Sequence, residues 1–434
     1  MARSLRRIYI SGMGPTSKNK NVRLMSPKFT EKLNCRVCDS QNFTEILNLG
    51  QMPMANAFRS KENLEKPELK FPLSLRFCRN CSLVQLAHTV NPKLLFENYS
   101  YLTSASKPLA DHFVELAKDL AKKYVHSEDD LVVEIGSNDG VLLEAIKDKC
   151  HVLGIEPAKN VCALSTKRGV ETLCNFFDSR LAIRISKEYG QAKVIIANNV
   201  VAHIDNAKDL VEGVKKLMSN DGVFVFEVHW VGNLIGKGGF DQIYHEHLSY
   251  FSLHAIQQLC KRSGLKLVDA KLVPIHGESL QCHIKIKGKP SAAVKNILNK
   301  EKRLGLHKIT TYRKFGEKVE KSKKQLCQIL NEIKKNEKTV IGYGAPAKGN
   351  TLLNYFGIGP KSIDYIIDTT SFKQGMFTPG AKIQIMHPNK IQEKKPDYVL
   401  LLSWNYAKEI LEKEKTLRAS GVKFIIPVPH VRII

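Results

Sequence analysis

The sequence predicts an α/β protein in three parts: a small metal-bound N-terminal module, a central Rossmann-like sheet and a smaller doubly wound α/β domain at the C-terminus. Three observations predict it. Two Cys-x-x-Cys pairs crowd one short segment, buried apolar runs alternate with amphipathic helical stretches over residues 96–286, and the same alternation resumes over 338–434. At 434 residues the chain exceeds what one hydrophobic core supports, so several domains are expected.

Residues 1–30 carry seven Lys or Arg and no acid, which reads as a basic tail, either transit-peptide-like or preceding a true start at Met25. Residues 31–95 hold short strand-like runs and the pairs Cys35-Arg-Val-Cys38 and Cys78-Arg-Asn-Cys81. Four thiolates in this pattern suit tetrahedral zinc, and a segment with so small a core needs such a staple. All four positions are taken by protein, so the metal is structural and activates no water. The other six cysteines are scattered as core filler. With no secretion signal, ten cysteines point to a reducing compartment, the cytoplasm by default.

The central segment opens with helical sequence around Pro108–Tyr124 and then strands at Leu131–Gly136, Val152–Glu156, Val194–Asn198 and Val223–Val228. Glu134-Ile-Gly136-Ser-Asn138-Asp139-Gly140 ends the first strand in a Gly-bracketed turn that lets backbone approach a nucleoside. It is not Gly-x-Gly-x-x-Gly. Asn138 and Asp139 suit a ligand with an amino-acid end, whose ammonium needs acceptors, rather than a pyrophosphate. Glu156 ends the second strand where an acid binds a ribose diol. Asn198 and Asn199 then fall beside a sulfonium, so the ligand expected is S-adenosylmethionine. Two closing strands, Leu265–Val273 and Leu280–Ile286, suit a methyltransferase sheet better than a dehydrogenase one.

Gln242-Ile-Tyr244-His245-Glu246-His247-Leu-Ser-Tyr250 is the densest titratable cluster. His245 and His247 are two apart and cannot share a helix face, which excludes a His-Glu-x-x-His zinc protease. In an extended or irregular segment Tyr244, Glu246 and His247 reach one pocket while His245 points elsewhere. Residues 287–337 read as a long lysine-rich linking helix with Tyr312, Phe315, Val319, Leu326, Ile329, Leu330 and Ile333 on one face. Thr339–Tyr343, Ile363–Asp368, Tyr398–Leu402 and Lys423–Ile426 form the second set of strands. The first of them runs into Gly342-Tyr-Gly344-Ala-Pro-Ala-Lys348-Gly349-Asn350-Thr351, a near P-loop with Asn350 where the essential Lys belongs, so nucleotide hydrolysis is not expected. A phosphate can still sit at the helix N-terminus, with Lys348 to neutralise a diphosphate.

The formal charge of +25 favours anionic partners, from nucleic acid to phosphorylated small molecules. An anionic membrane surface is a further candidate on charge alone; no apolar run reaches membrane-spanning length, and no membrane partner is expected. A zinc-knuckle nucleic-acid-binding protein lacks its aromatic signature here. A nicotinamide-dependent nucleotide-sugar oxidoreductase lacks a clean dinucleotide fingerprint. Oligomeric state is not legible, and a monomer is taken as default.

Taken in order, these motifs resemble the C-methyltransferases that act on nucleotide-linked keto-deoxysugars. The resemblance runs through the Cys pairs, Tyr99-Ser-Tyr101-Leu-Thr-Ser104, Glu134–Gly140, Gly154–Pro157, Ala197–His203, Tyr244–Tyr250, His276-Gly277, Gly342–Asn350, Lys373-Gln-Gly375 and Thr378-Pro379-Gly380. It implies a zinc module, a central class I methyltransferase Rossmann-like domain binding S-adenosylmethionine, and a C-terminal domain that helps hold a nucleotide sugar. Tyr244 and His247 match the family's active-site Tyr and catalytic His. His247 would then take the proton beside a ketone as general base, Tyr244 would donate to the enolate oxygen and Glu246 would orient the imidazole. Tyr101 joins the catalytic group. On the substrate side stand Tyr99, His203, His276 and Tyr343, with Lys348, Asn350, Asp368 and Lys373 from the C-terminal domain. The chain departs from the family at Glu278, where Gly is more frequent, and at Glu227-Val-His229-Trp230, where that His and Trp are unusual.

Overall fold

The computed structural model describes residues 27–96, 102–275 and 277–434. Tyr99, Tyr101, His276 and most of the basic N-terminal stretch lie outside them. The first part contains strands β1 (Phe29–Glu31), β2 (Phe43–Pro53), β3 (Lys70–Cys78), β4 (Val84–Leu86) and β5 (His88–Val90). β1 pairs antiparallel with β5, so the segment read as tail contributes a strand at its end.

The central sheet contains β6 (Leu131–Ile135), β7 (His151–Ile155), β8 (Thr172–Leu173), β9 (Ala192–Asn198) and β10 (Met218–His229), all parallel. A two-residue strand, β11 (Ser249–Tyr250), leaves this domain and pairs antiparallel with β4, completing a sheet of order β11-β4-β3-β2. β12 (Lys266–Val273) and β13 (Ser279–Lys285) close the central sheet in the order β12-β13-β10-β9-β6-β7-β8. β13 runs antiparallel between β10 and β12, as the two closing strands require.

The alternation along β6 explains why the sheet is covered on both sides. Val132 faces one apolar cluster, shared with Leu109, Phe113, Leu116 and Leu120 of the helix Lys107–Tyr124, while Leu131, Val133 and Ile135 face the other. Each such side chain contributes about 1.5–3 kcal/mol on burial. The linking segment is two helices, Ala292–Leu304 and Ile309–Lys335, rather than one. Gly305 ends the first at φ 69°. The second buries the expected face except Ile329, which is half-buried, and its Tyr312 ring lies 4.9 Å from Phe77 of β3.

β14 (Val340–Tyr343), β15 (Ile366–Ile367), β16 (Ile385–Met386), β17 (Tyr398–Leu401), β18 (Lys423–Ile426) and β19 (Arg432–Ile433) form the third sheet. Their order is β16-β15-β14-β17-β18-β19, parallel except for β19. Chain order reverses between β14 and β17, which marks the crevice where such sheets take ligands. Among the described residues, no helix is long and apolar enough to cross a membrane.

Candidate active site

The four predicted thiols converge. The Sγ atoms of Cys35, Cys38, Cys78 and Cys81 lie within 4.8 Å of one another and all four residues are buried. Cys35 to Cys81 and Cys38 to Cys78 are each 3.5 Å apart, close to the ~3.8 Å sulfur spacing that a tetrahedron with 2.3 Å Zn–S bonds demands. Hydrogen bonds from Cys35 and Cys81 drive Cys78 toward the thiolate, and the same sharing pushes Cys35 up to about 12. A cation fits this donor set. Arg36, inside the first knuckle and 1% exposed, donates to Asp205 Oδ1 at 3.1 Å and to the Leu86 carbonyl at 2.7 Å, tying the module to the central domain.

At the C-terminal ends of β6, β7 and β9, the predicted cofactor residues form a polar cradle. Gly136 has φ +70°, and a Cβ there would stand 2.3 Å from Val200 Cγ2, so neither conformation nor space admits a side chain. Asn138 Oδ1 accepts from the Thr103 amide at 2.9 Å. Asp139 Oδ2 faces Arg168 at 3.4 Å, leaving Oδ1 buried without a partner. Glu156 accepts from the amides of Asn138 and Ala158, at 3.1 and 2.9 Å, and burial holds its pKa up. Burial, with Glu156 and Asp139 beside it, raises Glu134 well above the usual carboxylate range. Asn198 has both amide atoms buried and unpartnered, and Asn199, at φ 57°, has a buried unpartnered Oδ1. Orphaned polar atoms at one strand-end cluster fit a ligand with a ribose and an amino-acid end.

His247 stands in the turn before β11. Its Nδ1 lies 2.9 Å from the Gln242 carbonyl. A carbonyl only accepts, so Nδ1 carries the proton and the lone pair of the neutral ring is on Nε2. The Tyr244 ring is 4.0 Å away, and the rings of His229 and His203 are 5.0 and 5.1 Å away. Burial, with His229 beside it, depresses His203 to about 3, so that imidazole stays neutral. His245 points elsewhere, as expected: it is buried against the Phe71 carbonyl at 3.3 Å and held down to about 4 by burial. The Glu246 carboxylate accepts from Asn56 Nδ2 at 2.7 Å, and the Gln242 carbonyl fixes the imidazole tautomer at Nδ1.

The C-terminal residues are arranged differently from the expectation of an open phosphate site. Gly344 has φ +81°, with space for a Cβ closed by Ser403 Oγ at 2.2 Å. Asp368 accepts from the amides of Ala345 and Thr370, and Lys373 donates to the Ala345 carbonyl at 3.0 Å. Tyr343 donates to Glu414 at 2.8 Å. Asn350 is buried and donates to the Ala55 carbonyl at 2.7 Å, which makes it a junction with the zinc module. Lys348 hydrogen-bonds Asn405 and lies 4.1 Å from the Trp404 ring centroid. Burial lowers its pKa to about 8.

Three family models match in chain order: a zinc binding domain over 35–96, a methyltransferase domain over 107–270 and a C-methyltransferase C-terminal domain over 274–429. C-methyltransferase NovU of Streptomyces niveus is 35% identical over 408 residues, covering 92% of this chain and 96% of that protein. The chain belongs to the C-methyltransferase family. It is an S-adenosylmethionine-dependent C-methyltransferase carrying a zinc-binding domain, and the oxidoreductase reading gives way. Among solved structures, this C-methyltransferase is similar to magnesium protoporphyrin IX methyltransferase from Synechocystis PCC 6803, at 9% identity over 40% of this chain and 78% of that one, TM-score 0.31. A methyltransferase from Anabaena variabilis is similar at 12% identity over 44% and 98%, TM-score 0.33.

Sequence reasoning missed several residues around His247 in this C-methyltransferase. His229 was visible only as a departure from the family pattern. Gln242 acts through its backbone carbonyl, which no side-chain pattern reveals. Asn56 reaches Glu246 from 190 positions away.

Proposed function

We propose that this C-methyltransferase methylates a carbon next to the ketone of a nucleotide-linked keto-sugar, with His247 as general base. What supports the reading above all is the Nδ1–H bond to the Gln242 carbonyl, which directs the basic lone pair to Nε2. His247 removes the proton on the carbon, and the C–H electron pair moves into the enolate, whose charge rests on the former ketone oxygen. Tyr244 beside it donates to that oxygen. S-adenosylmethionine, when bound, supplies the electrophilic methyl that the nucleophilic carbon accepts. Asn198 and Asn199 line the methyl-donor side, Asp139 and Asn138 take the amino-acid end, and neutral His203 packs against the base without competing for its proton. The ten cysteines, four at the metal cluster and none in a disulfide among the described residues, suit a reducing, cytoplasmic setting.

In this reading Glu156 accepts from both ribose hydroxyls. Glu156→Ala is expected to weaken S-adenosylmethionine binding by about 1–3 kcal/mol, the usual cost of losing hydrogen bonds to a charged group. Titration calorimetry checks this, and unchanged affinity would move the ribose elsewhere. The substrate reading is tested with 13C-methyl-labelled S-adenosylmethionine and a panel of nucleotide-linked 4-keto sugars. Label on a carbon adjacent to the ketone is expected; label on oxygen, or no transfer to any panel sugar, contradicts it.

A further inference from the structure

The turn Phe240–Gln242, whose last carbonyl fixes the His247 ring, is gripped from the C-terminal domain at two points. Phe240 stacks on Phe356 with ring centroids 5.0 Å apart and planes 14° apart. Trp404 Nε1 donates to Asp241 Oδ2 at 2.6 Å, and Asp241 is 0% exposed. A mechanical staple requires no carboxylate here, because the aromatic stack already holds the turn, and burying a charge is costly. The indole belongs to the loop that follows β17, at the crevice where strand order reverses. Lys348 lies over the same indole, and Tyr406, two residues on, is 52% exposed. One loop thus leaves the strand at which the order reverses and touches the segment that carries the base.

We propose that Trp404 and Asp241 are positioning residues: their hydrogen bond sets the Phe240–Gln242 turn, and through the Gln242 carbonyl it sets where the His247 imidazole stands. The inference rests on His247 being the base. The C-terminal domain is then part of the catalytic device as well as a holder of substrate. Trp404→Phe removes the donor and keeps most of the ring, and Asp241→Ala removes the acceptor. Each is expected to lower kcat by about 10- to 100-fold, the scale of an ångström-sized misplacement, with S-adenosylmethionine affinity unchanged. Asp241→Asn keeps an acceptor oxygen and is expected to recover most of the loss.

The test uses the full zinc-loaded chain. Turnover is measured with the panel sugar methylated best, and His247 is titrated by NMR of 13C-histidine protein. A displaced His247 titration in Trp404→Phe and Asp241→Ala, with near wild-type behaviour in Asp241→Asn, supports the tether. Wild-type titration and kcat in both variants overturn it, and so does an equal loss in Asp241→Asn and Asp241→Ala. Melting temperature and zinc content report folding; if Trp404→Phe is unfolded, the Asp241 pair decides alone. The titration reads ring position whether or not His247 is the base. A His247→Asn enzyme that still turns over sinks the catalytic reading, whereas an inactive one beside an unperturbed Trp404→Phe sinks only the tether.

Discussion

His247→Asn is expected to lower kcat by about 10²–10⁴-fold, the usual contribution of a positioned general base, while S-adenosylmethionine binding stays near normal. Proton removal contributes only to the transition state, so the loss should appear in turnover rather than in cofactor affinity. Asn retains an N–H to donate to the Gln242 carbonyl, so the turn before β11 keeps its anchor. His245→Asn is the comparison. His245 faces the Phe71 carbonyl in the module, so its replacement should cost about 1 kcal/mol of stability and much less turnover. Steady-state kinetics with calorimetry on both variants separates a base from general damage to the loop. Equal losses of turnover in the two would remove His247 from its role.

Losing the zinc should have the largest effect on stability. Structural zinc sites contribute about 10–16 kcal/mol of apparent binding free energy, as much as the whole stability of an ordinary domain. Cys78→Ser is expected to abolish metal retention and lower the melting temperature sharply. It should also lower methyl transfer, because Cys78 ends β3 and the next strand, β4, holds β11 just beyond His247. Elemental analysis should find one zinc per wild-type chain. Unchanged metal content and stability in Cys78→Ser would end the assignment.

The features legible in the sequence were those with local physics. The Cys spacing, the Gly136 turn and the alternation along β6 each express a constraint within a few residues, and each expected element is present. The break in the linking segment was also local: Gly305 follows Lys302-Arg303, a last-turn signature, but the strong apolar face beyond it masked the signal. Contacts between distant positions were not legible. β11 is two residues long, too short for any periodicity, and its partner lies in the zinc module. Asp241 and Trp404 are 163 positions apart, and Asn350 and Ala55 are 295 apart. Lys348 was read from a phosphate-loop pattern, yet the aromatic face of Trp404 and the Asn405 amide draw it toward the domain junction. Glu278, at φ 143°, occupies a conformation that favours glycine.

In the proposed mechanism His247 makes the substrate carbon nucleophilic before any methyl is transferred. Solvent deuterium exchange at that carbon, followed by NMR on a nucleotide-linked 4-keto sugar without S-adenosylmethionine, tests it most directly. Exchange is expected with wild-type enzyme and none above background with His247→Asn. Exchange as fast in the variant as in the wild type would contradict it and pass the role of base to another group, with Tyr244 the first to examine.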